Sequence, residues 1–208
     1  MSSRPVVSQT DDSSVKEDRP MAASSENSLQ GRTIAFLIAP EGTEQVELTE
    51  PWKAVSEAGG RPVLISTKDG EAQLFNHLDK GDTRSIDVTV DGTSPLEYDG
   101  LVLPGGVANP DFLRTQAEAV RFAWQFFNSG KPVAAICHAP WLLVEAAVVR
   151  DRTLTSWPSL RTDVVNAGGT WVDEETVICE KGPNTLLTSR KPDDLPAFNR
   201  AMVELMAR

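Results

Sequence analysis

From Gly31 onward the chain alternates between short apolar runs and longer amphipathic stretches. RTIAFLIAP reads as a buried strand, and VELTEPWKAVSEAGG predicts a helix closed by Gly59 and Gly60, its start blurred by Pro51. RPVLIS is a second strand. Between Thr67 and Asp99 the pattern breaks into short alternating pieces such as SIDVTV, which predict small strands or a hairpin beside the main sheet. YDGLVLPGG is a third core strand ending in a glycine pair. A helix from about Asp111 to Asn128 places Phe112, Val120, Ala123, Trp124 and Phe127 along one face, and Gly130 ends it. KPVAAICHAPWLLVEA then joins a strand over Val133 to Ile136 directly to a helix from Ala139. RTLTSW, a helix in SLRTDVVNAGG, the strand-like TWVDEETVICEK and NTLLTSR, and a closing helix from about Asp194 to Met206 complete the order. Strands alternating with helices imply a mainly parallel sheet covered on both faces.

Residues before this pattern are polar and serine-rich with no apolar face to bury, so 1–31 are expected to be a disordered tail and 32–208 a single α/β domain. The formal charge of -10, with cations scattered among acids, excludes a phosphate-backbone surface and hence nucleic acid as a partner. Two cysteines, Cys137 and Cys179, are too few for a disulfide framework and suit a reducing compartment. No apolar run is long enough to span a bilayer and the N-terminus lacks a signal-peptide pattern, so a cytoplasmic protein without membrane contact is expected.

Candidate chemistry collects in the loops beyond the carboxyl ends of the strands, PEGTEQVE, PGGVANPD and CHAPW. Cys137 sits on the tight strand-to-helix turn, where a side chain is lifted clear of the sheet toward the positive end of a helix, a setting that favours thiolate. Cys179 lies inside a strand-like run and reads as structural. His138 adjoins Cys137, but neighbours on a turn tend to diverge, and His77 reads as structural or surface. Glu44 lies near the strand end, where a carboxyl beside a thiol would have its pKa raised and share a proton. Glu47 reads as a solvated helix end. Gly105 and Gly106 either permit a turn or offer N–H groups to an oxyanion. Asp111 is either a helix-start residue or something more. Cys137, His138 and Glu44 fall short of a metal-ligand set, so neither metal nor cofactor is expected.

GTEQVEL, DGLVLPGGVANPDFLR, GKPVAAICHAPWLLVEA, LTSWPSLRTDVVNAGGTWVDE and LLTSRKPDDLPAF, in that order, resemble the PfpI branch of the ThiJ/PfpI superfamily. The resemblance spans roughly Thr33 to Ala207. It implies a class I glutamine amidotransferase-like fold, a flavodoxin-like three-layer sandwich with a mainly parallel sheet and helices on both faces. It also implies Cys137 as nucleophile, His138 as its base, Glu44 as the carboxyl bonded to the sulfur, and Gly106 with the His138 N–H as the oxyanion hole. Asp111 would orient the histidine of a neighbouring subunit, which makes the protein a homo-oligomer, a dimer or a hexamer. Ala139 departs from the glycine of many relatives. No histidine follows His138, which excludes the triad of the true glutamine amidotransferases. The implied activity is cysteine-dependent and directed at reactive carbonyls or glycated substrates, glyoxalase or deglycase in type, in stress protection. An intracellular peptidase and a non-enzymatic redox-sensing or holdase-like stress protein are the alternatives.

Overall fold

The computed structural model describes Met1 and residues 27–208. Residues 2–26 of the expected tail lie outside the described residues. Its last five do not behave as tail: Leu29 is fully buried and its N–H donates to Ala58 O at 2.8 Å, so the packed chain starts earlier than expected.

The chain opens with β1 (Thr33–Ile38), β2 (Glu41–Glu44), α1 (Gln45–Glu57) and β3 (Arg61–Ser66). A hairpin, β4 (Glu71–Asn76) and β5 (Asp79–Ser85), leads to β6 (Val88–Thr89) and β7 (Gly100–Leu103). There follow α2 (Ala108–Leu113), α3 (Ala117–Asn128), β8 (Val133–Ile136), α4 (Pro140–Glu145), β9 (Thr153–Leu154) and α5 (Arg161–Asn166). The last elements are β10 (Thr170–Trp171), β11 (Thr176–Cys179), β12 (Leu186–Ser189) and α6 (Leu195–Met206).

Seven strands form the main sheet in the order β11-β12-β8-β7-β1-β3-β6. All its pairs are parallel except β11 with β12, an antiparallel edge. Alternate residues of β1 serve opposite faces: Ala35 and Leu37 pack with Phe122, Phe126 and Leu142 of α3 and α4. Ile34, Phe36 and Ile38 pack with Leu48 and Val55 of α1 and with Phe198 and Met202 of α6. Both faces are covered, which is why these strands read as unbroken apolar runs rather than as alternation. The expected three-layer sandwich is therefore the fold. Because β1 has β3 on one side and β7 on the other, strand order reverses between β1 and β7. The crevice of such a sheet opens there, at the carboxyl ends.

The pieces around SIDVTV are the expected hairpin and a short strand: Ser85 ends the hairpin, and Val88 and Thr89 join the main sheet at its edge. Within RTLTSW, β9 pairs with β10 in a separate two-stranded sheet. The helix drawn from Asp111 to Asn128 is two helices. After Leu113 the Thr115 hydroxyl donates to Phe112 O at 2.7 Å and the Gln116 N–H to Leu113 O at 3.0 Å, bonds that close one helix before the next begins. The break resets the phase. The buried face of α3 is Ala119, Phe122, Ala123, Phe126 and Phe127, and Trp124 points outward with 49% of its surface exposed.

Candidate active site

Cys137 follows β8 with φ +62°, a left-handed conformation that non-glycine residues rarely hold. The surroundings impose it: the Cys137 N–H donates to Ser189 O at 3.0 Å, its carbonyl accepts from Trp157 N–H at 2.8 Å, and Ala139 N–H donates to Ile136 O at 3.1 Å. This is the expected elbow. It brings Cys137 Sγ within 3.1 Å of His138 Nδ1, so the two adjacent side chains meet rather than diverge. The imidazole stacks on the Trp157 ring at 5.5 Å between centroids and leans on Trp141 at 5.4 Å. Trp141 is itself held by donating its indole N–H to Asp163 at 2.8 Å. Burial lowers the His138 pKa to about 4, so at neutral pH the ring is uncharged and able to accept a proton.

The carboxyl beside the thiol is Glu47, not Glu44. Glu44 ends β2, which pairs with β4, and its Oε2 accepts the backbone N–H of His77 at 3.0 Å, anchoring the hairpin tip. Glu47 lies one helical turn further on, fully buried, and its Oε2 accepts the Gly105 N–H at 2.9 Å. A Cβ at Gly105 would collide with that oxygen and with Cys137 Cβ, so the close approach of acid and thiol depends on glycine there. Burial pushes the Glu47 pKa up to about 8, opposed by its hydrogen bond with Cys137 and reinforced by the charge of Glu44. The thiol is pushed up as well, by burial first and then by Glu47, while the N–H groups of Gly106 and His138 act on the sulfur in the opposite sense. The helix end expected to favour thiolate is thus opposed by burial and by Glu47. α4 has only six residues, and a proton on Glu47 is what removes the largest opposing charge.

Gly106 has φ +87°, and a Cβ there would fall on Gly42 O. Asn109, missed by sequence reasoning, holds this loop: its Oδ1 accepts Ala39 N–H at 2.7 Å and its Nδ2 donates to Pro104 O at 2.8 Å and Gly105 O at 3.1 Å. It ties the loop after β7 to the end of β1. The NP dipeptide suggested only a helix start. Trp157 was also missed, having no sequence signal beyond its nearness to a proline.

These residues line a cleft of about 670 Å³, with Cys137, His138, Glu47, Glu44 and Gly106 along one side. Phe75, Leu78, Val107 and Trp157 supply apolar wall, His77 and Leu78 come from the hairpin tip, and Asp111 stands on the lining too. Asp111 does not reach His138 within the chain. Its Oδ1 accepts two bonds from Arg114, at 3.0 and 2.7 Å, and its side chain is half exposed. Among the described residues no carboxylate bonds the His138 ring, and no group of three or more His, Cys, Asp or Glu could hold a metal ion. Cys179 is remote from the cleft lining, as its strand position suggested.

A nucleophile elbow after β8, one strand from the switch point of a mainly parallel sheet, defines a class of cysteine-centred α/β proteins. The chain belongs to the DJ-1/PfpI family, whose profile matches residues 32–205. It is 42% identical over 176 residues to protein/nucleic acid deglycase 2 of Escherichia coli, covering 84% of this chain and 98% of that protein. It is 40% identical over 169 residues to general stress protein 18 of Bacillus subtilis, covering 79% and 92%. Among solved structures, a two-domain Anabaena variabilis protein with DJ-1/ThiJ/PfpI-like and ferritin-like domains superposes with a TM-score of 0.76 at 30% identity. That match covers 83% of this chain and 47% of the two-domain protein, so the chain spans about half its length. No helix among the described residues is long and apolar enough to cross a membrane.

Proposed function

We propose that this chain is a cysteine-dependent enzyme acting on reactive carbonyls, of the glyoxalase or protein-deglycase type, in protection against stress. The observation that carries the reading is the Cys137 sulfur, held on a strained elbow 3.1 Å from an uncharged imidazole and against a raised-pKa carboxyl in an open cleft. The deglycase and general-stress names of relatives at 42% and 40% identity support it.

With methylglyoxal, His138 Nδ1 takes the thiol proton as the sulfur bonds to the aldehyde carbon, then returns that proton to the former carbonyl oxygen. The N–H groups of Gly106 and His138 steady that oxygen while it is charged. His138 next removes the hydrogen on the same carbon as a proton. The electron pair left behind passes toward the neighbouring ketone, whose oxygen takes the hydroxyl proton of the first carbon, and His138 returns its proton to the former ketone carbon; that carbon is reduced as the first is oxidised, giving a lactoyl thioester without an outside oxidant. Water cleaves the thioester to lactate and the free thiol. With a carbinolamine formed from an amine and methylglyoxal, the sulfur bonds to the carbinol carbon as the carbon–nitrogen bond breaks, His138 passes the thiol proton to the leaving nitrogen, and the same hemithioacetal results. Throughout, the protonated Glu47 carboxyl donates to the sulfur when it is anionic.

We also infer that Asp111 acts in a neighbouring copy, orienting its His138, and that the protein is a homo-oligomer. The imidazole without a carboxylate partner among the described residues supports this, as does the apolar rim of the cleft, where Leu78 is 94% exposed. The two free thiols suit the cytoplasm as the place of action.

The test is lactate formation from methylglyoxal by the purified chain, beside Cys137→Ser and Glu47→Gln, with glycated peptide corrected for scavenging of free methylglyoxal. Equal rates for wild type and Cys137→Ser would overturn the assignment. For Asp111, inactive Asp111→Ala and inactive Cys137→Ser proteins are mixed under conditions that exchange subunits. Recovery of activity is expected, and demonstrated exchange without recovery would return Asp111 to a helix-start role.

A further inference from the structure

A second pocket, of about 390 Å³, lies at the other end of the main sheet, where the segment after α4 meets the loop entering β12. Three cations line it, Arg150, Arg152 and Lys181, against one carboxylate, Asp151, in a chain whose formal charge is -10. Arg152 is only 3% exposed. Its guanidinium donates to Asn184 O at 3.1 Å and Asn184 Oδ1 at 2.6 Å, lies 5.0 Å over the Phe127 ring, and has the Cys179 sulfur beside it. None of these is a carboxylate. Among the described residues no carboxylate comes within 4.0 Å of Arg150, Arg152 or Lys181. A buried guanidinium without an anion is costly, and the cost is offset when an anion arrives.

The backbone is shaped around this charge. At Gly182 (φ +90°) a Cβ would stand 2.6 Å from Arg152 Nη2 and crowd the guanidinium, and the positive φ itself favours glycine there. Five described non-glycine residues have positive φ, namely Asn27, His77, Cys137, Ala147 and Asp151. Two of them, His77 and Cys137, line the cleft already described, and Ala147 and Asp151 line this pocket. Strain of this kind persists where surrounding structure over-determines a site.

We propose that this pocket binds a phosphate group, with Arg152 as its buried anchor and Arg150 and Lys181 as its flanking charges. A phosphate presents several acceptor oxygens to the planar guanidinium forks and the ammonium, geometry that a chloride ion cannot match. The half-exposed Trp124 indole on the same wall offers a face for an aromatic group attached to that phosphate.

The experiment is calorimetric titration of the full chain with inorganic phosphate and, separately, with adenosine monophosphate, chloride making up a constant ionic strength. One site per chain is expected. Affinity should fall about tenfold or more in an Arg150→Ala/Lys181→Ala double variant, whose exposed positions leave the core intact. Tighter binding of the nucleotide, with the margin lost in Trp124→Ala, would identify a phosphate ester as the ligand; equal binding would identify free phosphate. No binding beyond that of chloride, or equal affinity in the double variant, would overturn the proposal. None of these outcomes depends on whether Cys137 turns over carbonyls.

Discussion

Cys137 and Cys179 are buried to nearly the same degree, 5% and 6% exposed, but they sit in opposite surroundings. Cys179 ends an extended strand, paired with Leu186, beside a guanidinium. Cys137 sits on a left-handed turn between an imidazole and a carboxyl, at the edge of a cleft. Exposure therefore does not separate the proposed nucleophile from a strand cysteine. What separates them is backbone that lifts the side chain off the sheet and neighbours that can take or give a proton.

The strongest way to break that comparison is to exchange sulfur for oxygen at each position. Cys137→Ser should lower methylglyoxal turnover by about 10³-fold or more, since the nucleophile itself is replaced. Cys179→Ser should stay within about twofold, with its cost read in stability instead. Parallel steady-state kinetics and urea unfolding measure both, and a comparable loss of activity at Cys179 would sink the distinction.

The next contrast is between the two carboxyls. Glu47→Gln should lower kcat/KM by about 10²-fold, the usual size of a lost proton-handling group, because an amide N–H is a much weaker donor to the anionic sulfur than a carboxylic acid. Glu44→Gln should cost about tenfold or less, through a looser hairpin tip and a shifted Glu47, and should show more in KM than in kcat. A larger loss at Glu44 would restore the reading taken from the sequence alone.

That reading went wrong for a physical reason. The elbow was legible because an apolar run ending in Cys-His and restarting as a helix leaves little choice of backbone. The strands were legible because both sheet faces are buried. Glu44 and Glu47 were confused because position in a loop was weighed above helical phase. Within α1 the buried residues are Glu47, Leu48, Pro51 and Val55, so Glu47 continues the inward stripe with Pro51 and Val55 at intervals of four. That spacing was available in the sequence. The break in the helix after Leu113 was not, because it rests on a side-chain bond from Thr115 that competes with an otherwise helical pattern. Asn109 and Trp157 act through contacts with β1 and with His138 that no local pattern encodes.

A smaller effect separates the same carboxyl from the rest of the molecule by pH. The folded Glu47 holds its proton to about pH 8, whereas the unfolded chain releases it near 4.5. Between those values the native state binds the extra proton, so this group's contribution is complete below the lower value and is lost as pH rises through the upper one. Glu47→Gln carries no such proton. Its Tm relative to wild type should therefore climb between pH 5 and pH 9, by about 5 °C or more, given a few degrees per kcal/mol in a domain of this size. A constant difference would mean that Glu47 is ionised already at pH 5.

The smallest expected effect returns to the two cysteines and concerns backbone alone. A residue with a Cβ held at φ +62° costs about 1–2 kcal/mol relative to its ordinary conformations, a cost that glycine does not bear. At position 137, replacing alanine by glycine should therefore stabilise: Cys137→Gly is expected to exceed Cys137→Ala by about 1 kcal/mol. At position 179 the same exchange should have the opposite sign, because glycine in an extended strand gives up more chain entropy and packs nothing. There Cys179→Gly should fall below Cys179→Ala by roughly 0.5–1 kcal/mol. Four urea unfolding curves with equal m-values decide the matter, and each pair removes the sulfur from both members, so chemistry cannot contribute. If glycine destabilises at both positions, the turn at Cys137 is unstrained and the elbow owes its shape to packing around it.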